Sequence, residues 1–132
     1  MVTNYSLKLA FRTNALFSVL SATVMVLASS WVVSQLGGLS EIWLYAGAVA
    51  LLVFAGQLIW MSLMPSQKSL LVGYVIVSDW LFVMGVVLGI FLYGEFISTT
   101  GHLMLIAVAT AVALLALWQN RAWTTLTRTA SS

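Results

Sequence analysis

Eight charged residues in a chain of 132 leave it unable to cover a globule with polar surface. They are Lys8, Arg12, Glu41, Lys68, Asp79, Glu95, Arg121 and Arg128, and the stretches between them are overwhelmingly apolar. A soluble domain carries roughly 25% charged residues; here the figure is 6%, against 62% apolar and a mean hydropathy of +1.09. The solvent such a chain calls for is lipid. A hydrocarbon core about 30 Å thick is crossed by about 20 helical residues, so four spans with short connections use nearly all of the length. The expected fold is an all-α integral membrane protein, a four-transmembrane-helix antiparallel bundle with short loops, forming one domain over residues 1–132.

The breaks between apolar runs place the helices near residues 14–36, 42–63, 69–93 and 102–119. Gly37-Gly38 stops the first, because glycine gives up the most backbone entropy by staying helical. Ser40 is a candidate cap for the second, with Glu41 at its positive end. Pro65 ends the second, and Ser66 is a candidate cap for the third. Gly94 and Ser98-Thr99-Thr100-Gly101 mark the last turn.

On this scheme all five basic residues fall on one side and Glu41, Glu95 and His102 on the other. The positive-inside rule then puts both termini and the Pro65 loop in the cytoplasm, in one orientation, in a cell (inner) membrane. Trp31, Trp43, Tyr45, Tyr93 and Phe96 are expected in an outer aromatic belt, and Phe11, Trp60, Trp118 and Trp123 in an inner one. Lys8 and Arg12, the apolar run 15–27 and Ala28-Ser29-Ser30 also have the order of a cleavable signal peptide, but the run continues to Leu36, which favours a retained span. The net charge of +2 belongs to this topology and is no signature of nucleic-acid binding.

Lipid supplies no hydrophobic drive between helices, so packing is expected from small and polar residues. The stripes are Ser18, Ser21, Ala22 and Ser29; Ala46, Gly47, Ala50 and Gly56; Ser78 with Gly85-x-x-x-Gly89; and Ala109, Ala113 and Ala116 beside Thr110. Most such stripes pack within a bundle, and Gly85–Gly89 is the best candidate for a homodimer face. The second and fourth runs, both alanine-rich with Gln57/Trp60 and Trp118-Gln119 near their ends, carry a faint internal repeat.

Asp79 is the one acidic residue inside an apolar run, eleven residues past Lys68. At 1.5 Å per helical residue that is about 16 Å, the middle of a hydrocarbon core, where a carboxyl group costs about 2.5–3.5 kcal/mol. Ser21, Thr23 and Thr110 are its expected partners at matching depth, with Asp79 able to donate as a neutral acid, since burial penalises the charged form. Neighbouring Trp80 completes a polar pair, and Tyr74 with Trp80 and Asp79 would line a ligand site between helices. Asn14 reads as a boundary residue, and Gln57 as a bridge to the fourth helix.

No catalytic chemistry stands out. The chain has no cysteine and one histidine, His102, with Met104 on another helical face, so neither a zinc site nor a haem site is expected. There is no phosphate loop, no HExxH and no second carboxylate near Asp79. The expectation is a non-enzyme without cofactors, whose partners are the lipid bilayer and either another membrane protein or a second copy, and no nucleic acid. Its role would be that of an accessory, assembly or sensing module working through helix contacts centred on Asp79. The alternatives are a small proton-coupled transporter or channel that titrates Asp79, and a lipid- or quinone-like ligand site between helices. In size and span count the chain resembles the small multidrug resistance family. That family carries its membrane glutamate in the first helix, where this chain has no acidic residue, so no residue is carried over. The general arrangement is similar to that of many small bacterial four-span proteins.

Overall fold

A computed structural model describes residues 2–38, 40–64 and 68–131, with side chains between residues 6 and 125 of those stretches. The described residues form five helices and no strand: α1 (Val2–Leu27), α2 (Ser29–Gln35), α3 (Glu41–Leu63), α4 (Ser69–Tyr93) and α5 (Thr99–Ser131), with a 3-10 turn at Gly94–Phe96. Four segments are long and apolar enough to cross a membrane: Ser6–Leu27, Glu41–Ser62, Ser69–Phe96 and Thr99–Thr125.

The outer two helices are longer than the sequence suggests. α1 begins at Val2 rather than Asn14, and α5 runs to Ser131 rather than stopping at Gln119. The reason is helical periodicity beyond the apolar runs. Leu7, Phe11, Asn14, Ala15 and Ser18 recur at three and four residues and are all buried, while on the same helix Lys8 is half-buried and Arg12 is exposed at the edge of α3. Ala116, Gln119 and Ala122 continue the buried stripe of α5 in the same way.

A kink at Ala28 separates α1 from α2, although backbone bonds carry on through it, from Ala28 N–H to the Val24 carbonyl and from Val32 N–H to the Ala28 carbonyl, each 2.9 Å. Just past it the buried Ser29 hydroxyl lies 3.2 Å from the Tyr45 hydroxyl, and Ser30 donates to the Glu41 carboxylate at 3.1 Å. Past the end of α2, Gly37 and Gly38 both adopt positive φ, at 82° and 80°, and Gly38 N–H closes back on the Val33 carbonyl at 2.9 Å. This is the glycine-terminated helix end that a Cβ disfavours. Ser40 does occupy the cap of α3, with no capping bond from its hydroxyl. The cap of α4 falls on Lys68 rather than Ser66; Pro65 and Ser66 themselves lie outside the described residues.

The helices are antiparallel neighbours. α1 packs along α3, with Arg12 reaching Ser62 at one end and Ser29 meeting Tyr45 at the other. α4 packs along α5, and α5 along α1. α3 and α4 are consecutive in sequence but share no comparable backbone approach, so the bundle is open on that side. This order collects Lys8, Arg12, Lys68 and Arg121 at one end and Glu41, Glu95 and His102 at the other. The apolar core sits toward the basic end, where Leu7, Phe11, Leu58, Met61, Val72, Val75 and Ala122 meet. Phe11 is therefore a core residue with no exposure, not a member of an inner belt.

The packing stripes divide. Ser18, Ala22, Ser29 and Ala116 are buried as expected, Ser21 is half-buried, and α3 uses Ala48 and Ala55 instead of the exposed Ala46, Ala50 and Gly56. Ser78, Ala109 and Ala113 are half-buried, and nothing lies within 4 Å of the Cβ positions of Gly85 and Gly89.

The acidic end is tied by a second set of contacts. Ser98 N–H and hydroxyl both donate to the Gln35 carbonyl, at 3.0 and 3.3 Å, and Gly101 N–H donates to the Ser98 hydroxyl at 2.9 Å. Gly101 lies so close to the Gln35 carbonyl that a Cβ would collide with it.

Substitution at the double glycine separates two costs. Gly38→Ala meets open space and should lose about 1–2 kcal/mol from left-handed backbone alone. Gly37→Ala adds a Cβ 2.6 Å from the Phe96 carbonyl oxygen and should lose more. Thermal unfolding of the two variants in detergent, followed by circular dichroism, checks the order; equal losses would mean that Phe96 does not press on this turn.

Candidate functional site

Asp79 is buried, with 4% of its surface exposed, and its partners come from helices far away in sequence. Asn14 of α1 (2% exposed) and Gln119 of α5 (0%) flank it. Gln119 Nε2 donates to Asp79 Oδ2 at 2.7 Å, and Asn14 Nδ2 donates to the same oxygen at 2.9 Å. The second proton of Asn14 Nδ2 points toward Gln119 Oε1 at 3.3 Å, which closes a triangle. Periodicity places all three: Asn14 is on the buried Leu7–Phe11–Ser18 stripe of α1, Gln119 on the Val112–Leu115–Ala122 stripe of α5, and Asp79 four residues after Val75 on α4.

The chemistry is that of a buried acceptor matched by two fixed donors. A carboxyl group costs several kcal/mol to bury unmatched, and hydrogen bonds from two amides offset part of this. Asp79 accepts both bonds at Oδ2. The expected hydroxyl partners are elsewhere: Thr23 and Thr110 are exposed and bond back to their own helices, at the Val19 and Ile106 carbonyls, both 2.8 Å. Ser21 is half-buried and has no bond to Asp79.

Nor does the structure unite Asp79 with Trp80 and Tyr74. Trp80 turns outward, and half-exposed Tyr74 donates its hydroxyl to Gln57 Oε1 at 3.4 Å. Gln57 thus contacts α4, rather than the last helix.

The place of the site along the bundle follows from all three of its helices. Counted along α4, Asp79 is about 15 Å from Ser69. Its partners, however, are each two residues from an arginine, Asn14 from Arg12 and Gln119 from Arg121, or about 3 Å along the helix axis. The triangle is level with the basic side chains of α1 and α5. Asn14 is its member rather than a boundary residue, and so is Gln119, which the sequence offered only as part of a faint repeat at the end of the last span. The available signal was periodic: both amides sit three or four residues from buried apolar positions on either side.

Two polar atoms near the triangle take no hydrogen bond from a described residue. They are Asp79 Oδ1 and the hydroxyl of Ser18, which is buried one turn from Asn14. Among the described residues no three of His, Asp and Glu come together, so a cation here would have one carboxylate and otherwise neutral oxygens. Compared with known protein families, curated proteins and solved structures, the chain gives no match, and the site is argued from its geometry.

The triangle predicts a particular pattern of stability losses. Asn14→Ala and Gln119→Ala should each cost about 0.6–2 kcal/mol. Because both donors serve one oxygen, a double-mutant cycle in detergent should show coupling of at least about 0.5 kcal/mol. Simple additivity would show that the two bonds do not act as a unit.

Proposed function

We propose that this protein is a small non-enzymatic membrane module, inserted with its basic end in the cytoplasm, that works by helix contacts with a partner in the bilayer. The observation that carries this is the surface of α4. Its buried residues, Val72, Val75 and Asp79, all lie in the half nearest the basic end, and from Trp80 to Tyr93 it buries none. In that stretch Leu81, Met84, Leu88 and Phe91 are exposed, and Gly85 and Gly89 leave room for another helix to approach closely. Asp79 then serves the module from within, fixing α4 against α1 and α5 so that the outer half is held out at a defined angle. It is not itself offered to a partner, being enclosed by two donors of its own chain.

Purification from the native membrane in mild detergent tests this. The protein should bring a defined partner or a second copy with it, and Gly85→Leu/Gly89→Leu should abolish the association without lowering the melting temperature. Asp79→Asn should do the reverse, lowering stability by about 1–3 kcal/mol and keeping the partner. A lone monomer under conditions that preserve known complexes would count against the proposal.

A second reading is favoured by the two unmatched atoms. Asp79 Oδ1 and the Ser18 hydroxyl could pass a proton or hold a small cation, with half-buried Ser21 further along the same helix. Intramembrane carboxylates serve proton relays in pumps and transporters. Proteoliposomes carrying an internal pH dye measure this directly: a proton leak present in wild type and absent in Asp79→Asn supports the relay, whereas equal rates remove it.

A further inference from the structure

Away from the triangle, the outer surface of the bundle carries a groove of about 290 Å³ between α1 and α5. Thr13 and Phe17 form one wall, and Ala111, Leu114 and Trp118 the other. The single hydroxyl among these, on Thr13, is turned back on the Leu9 carbonyl at 2.8 Å, so the walls offer an occupant nothing but hydrocarbon. Toward the basic end the groove is closed by Trp118, whose indole N–H donates to the Ser6 hydroxyl at 3.2 Å. One turn further, three residues after Trp118 and so on the same side of α5, stands Arg121. It is exposed, and its guanidinium meets no acidic group among the described residues.

We infer that this groove and Arg121 together form a binding site for one anionic phospholipid. An acyl chain lies along Phe17, Leu114 and Trp118, and the phosphate pairs with the Arg121 guanidinium. The commitment to an anionic lipid rests on charge. A groove with purely apolar walls takes any acyl chain, but an uncompensated arginine at its mouth favours a headgroup with net negative charge. Arginine suits a phosphate because its planar fork donates two parallel hydrogen bonds, and basic pockets between membrane helices on the cytoplasmic side hold such headgroups. Trp118 adds the amphipathic ring that sits where acyl chain gives way to headgroup. Arg12, the other arginine at this level, does not share the site, since it turns to α3 and donates to Ser62 at 3.4 Å.

The inference rests on the membrane reading above. The test uses the full chain in vesicles of equal parts phosphatidylglycerol and phosphatidylcholine, released into mild detergent for native mass spectrometry. Wild type should retain phosphatidylglycerol at least about fivefold over phosphatidylcholine. Arg121→Gln should bring the ratio to near unity, and Ala111→Leu, which fills the groove, should lower retention of both lipids. Equal retention by wild type, or a preference unchanged in Arg121→Gln, would overturn the site. Alkaline carbonate extraction of the same vesicles separates the two readings. A chain that washes off refutes membrane insertion and the lipid site together, while an inserted chain without the preference refutes the lipid site alone.

Discussion

One oxygen atom, Asp79 Oδ2, holds three helices in register. Its two donors, Asn14 and Gln119, lie 65 and 40 residues away in sequence, on helices that approach from different sides. In a lipid environment that offers no hydrophobic drive between helices, a carboxyl group that must be matched is one of the few terms that can decide which faces meet. An unmatched carboxyl costs more to bury than a single polar contact returns. The arrangement in which both amides reach it is therefore favoured over rotated alternatives. Such rotations would keep the apolar burial but strand the carboxyl group.

The consequences spread along α4. The triangle and the core around Leu7, Phe11, Val72 and Val75 anchor this helix near the basic end. The ties of Ser98, Gly101 and Gln35 fix the junction into α5 near the acidic end. Between these two fastenings α4 rests on α5 alone, with Val83, Val86 and Ile90 half-buried, and α3 does not close over its other side. A helix held firmly at its ends and bare on one face presents a defined apolar surface to whatever lies beside it. The groove between α1 and α5 is a smaller instance of the same economy, an apolar surface that meets no protein neighbour.

Much of the fold was legible from residue order. The double glycine at 37 and 38, the cap position of Ser40 and the turn before α5 appear where sequence places them, because each depends on local backbone chemistry. Helix lengths were less legible. Lys8, Arg12 and Arg121 read as the ends of spans, yet helices run on past them, since a charge facing outward does not interrupt a buried stripe on the opposite face. Asp79 was recognisable as the central polar residue for its cost alone. Its partners were not: depth counted from Lys68 pointed to Ser21, Thr23 and Thr110, and the serine and threonine side chains of a helix are readily satisfied by their own carbonyls. Amides cannot be satisfied that way as easily, which is why Asn14 and Gln119 take the contact.

By itself the sequence determined the number of long helices, that each is apolar enough to cross a membrane, and the separation of basic from acidic ends. Those properties follow from composition and from the spacing of charges, which no packing can alter. Only the tertiary structure decided which polar groups meet, which of the small-residue stripes are used, and that α4 is left bare beside α3. These depend on the rotation and axial shift of each helix relative to its neighbours. Such shifts change contacts at little cost in apolar burial, and are fixed only when long-range pairs such as Asn14 with Asp79 are made.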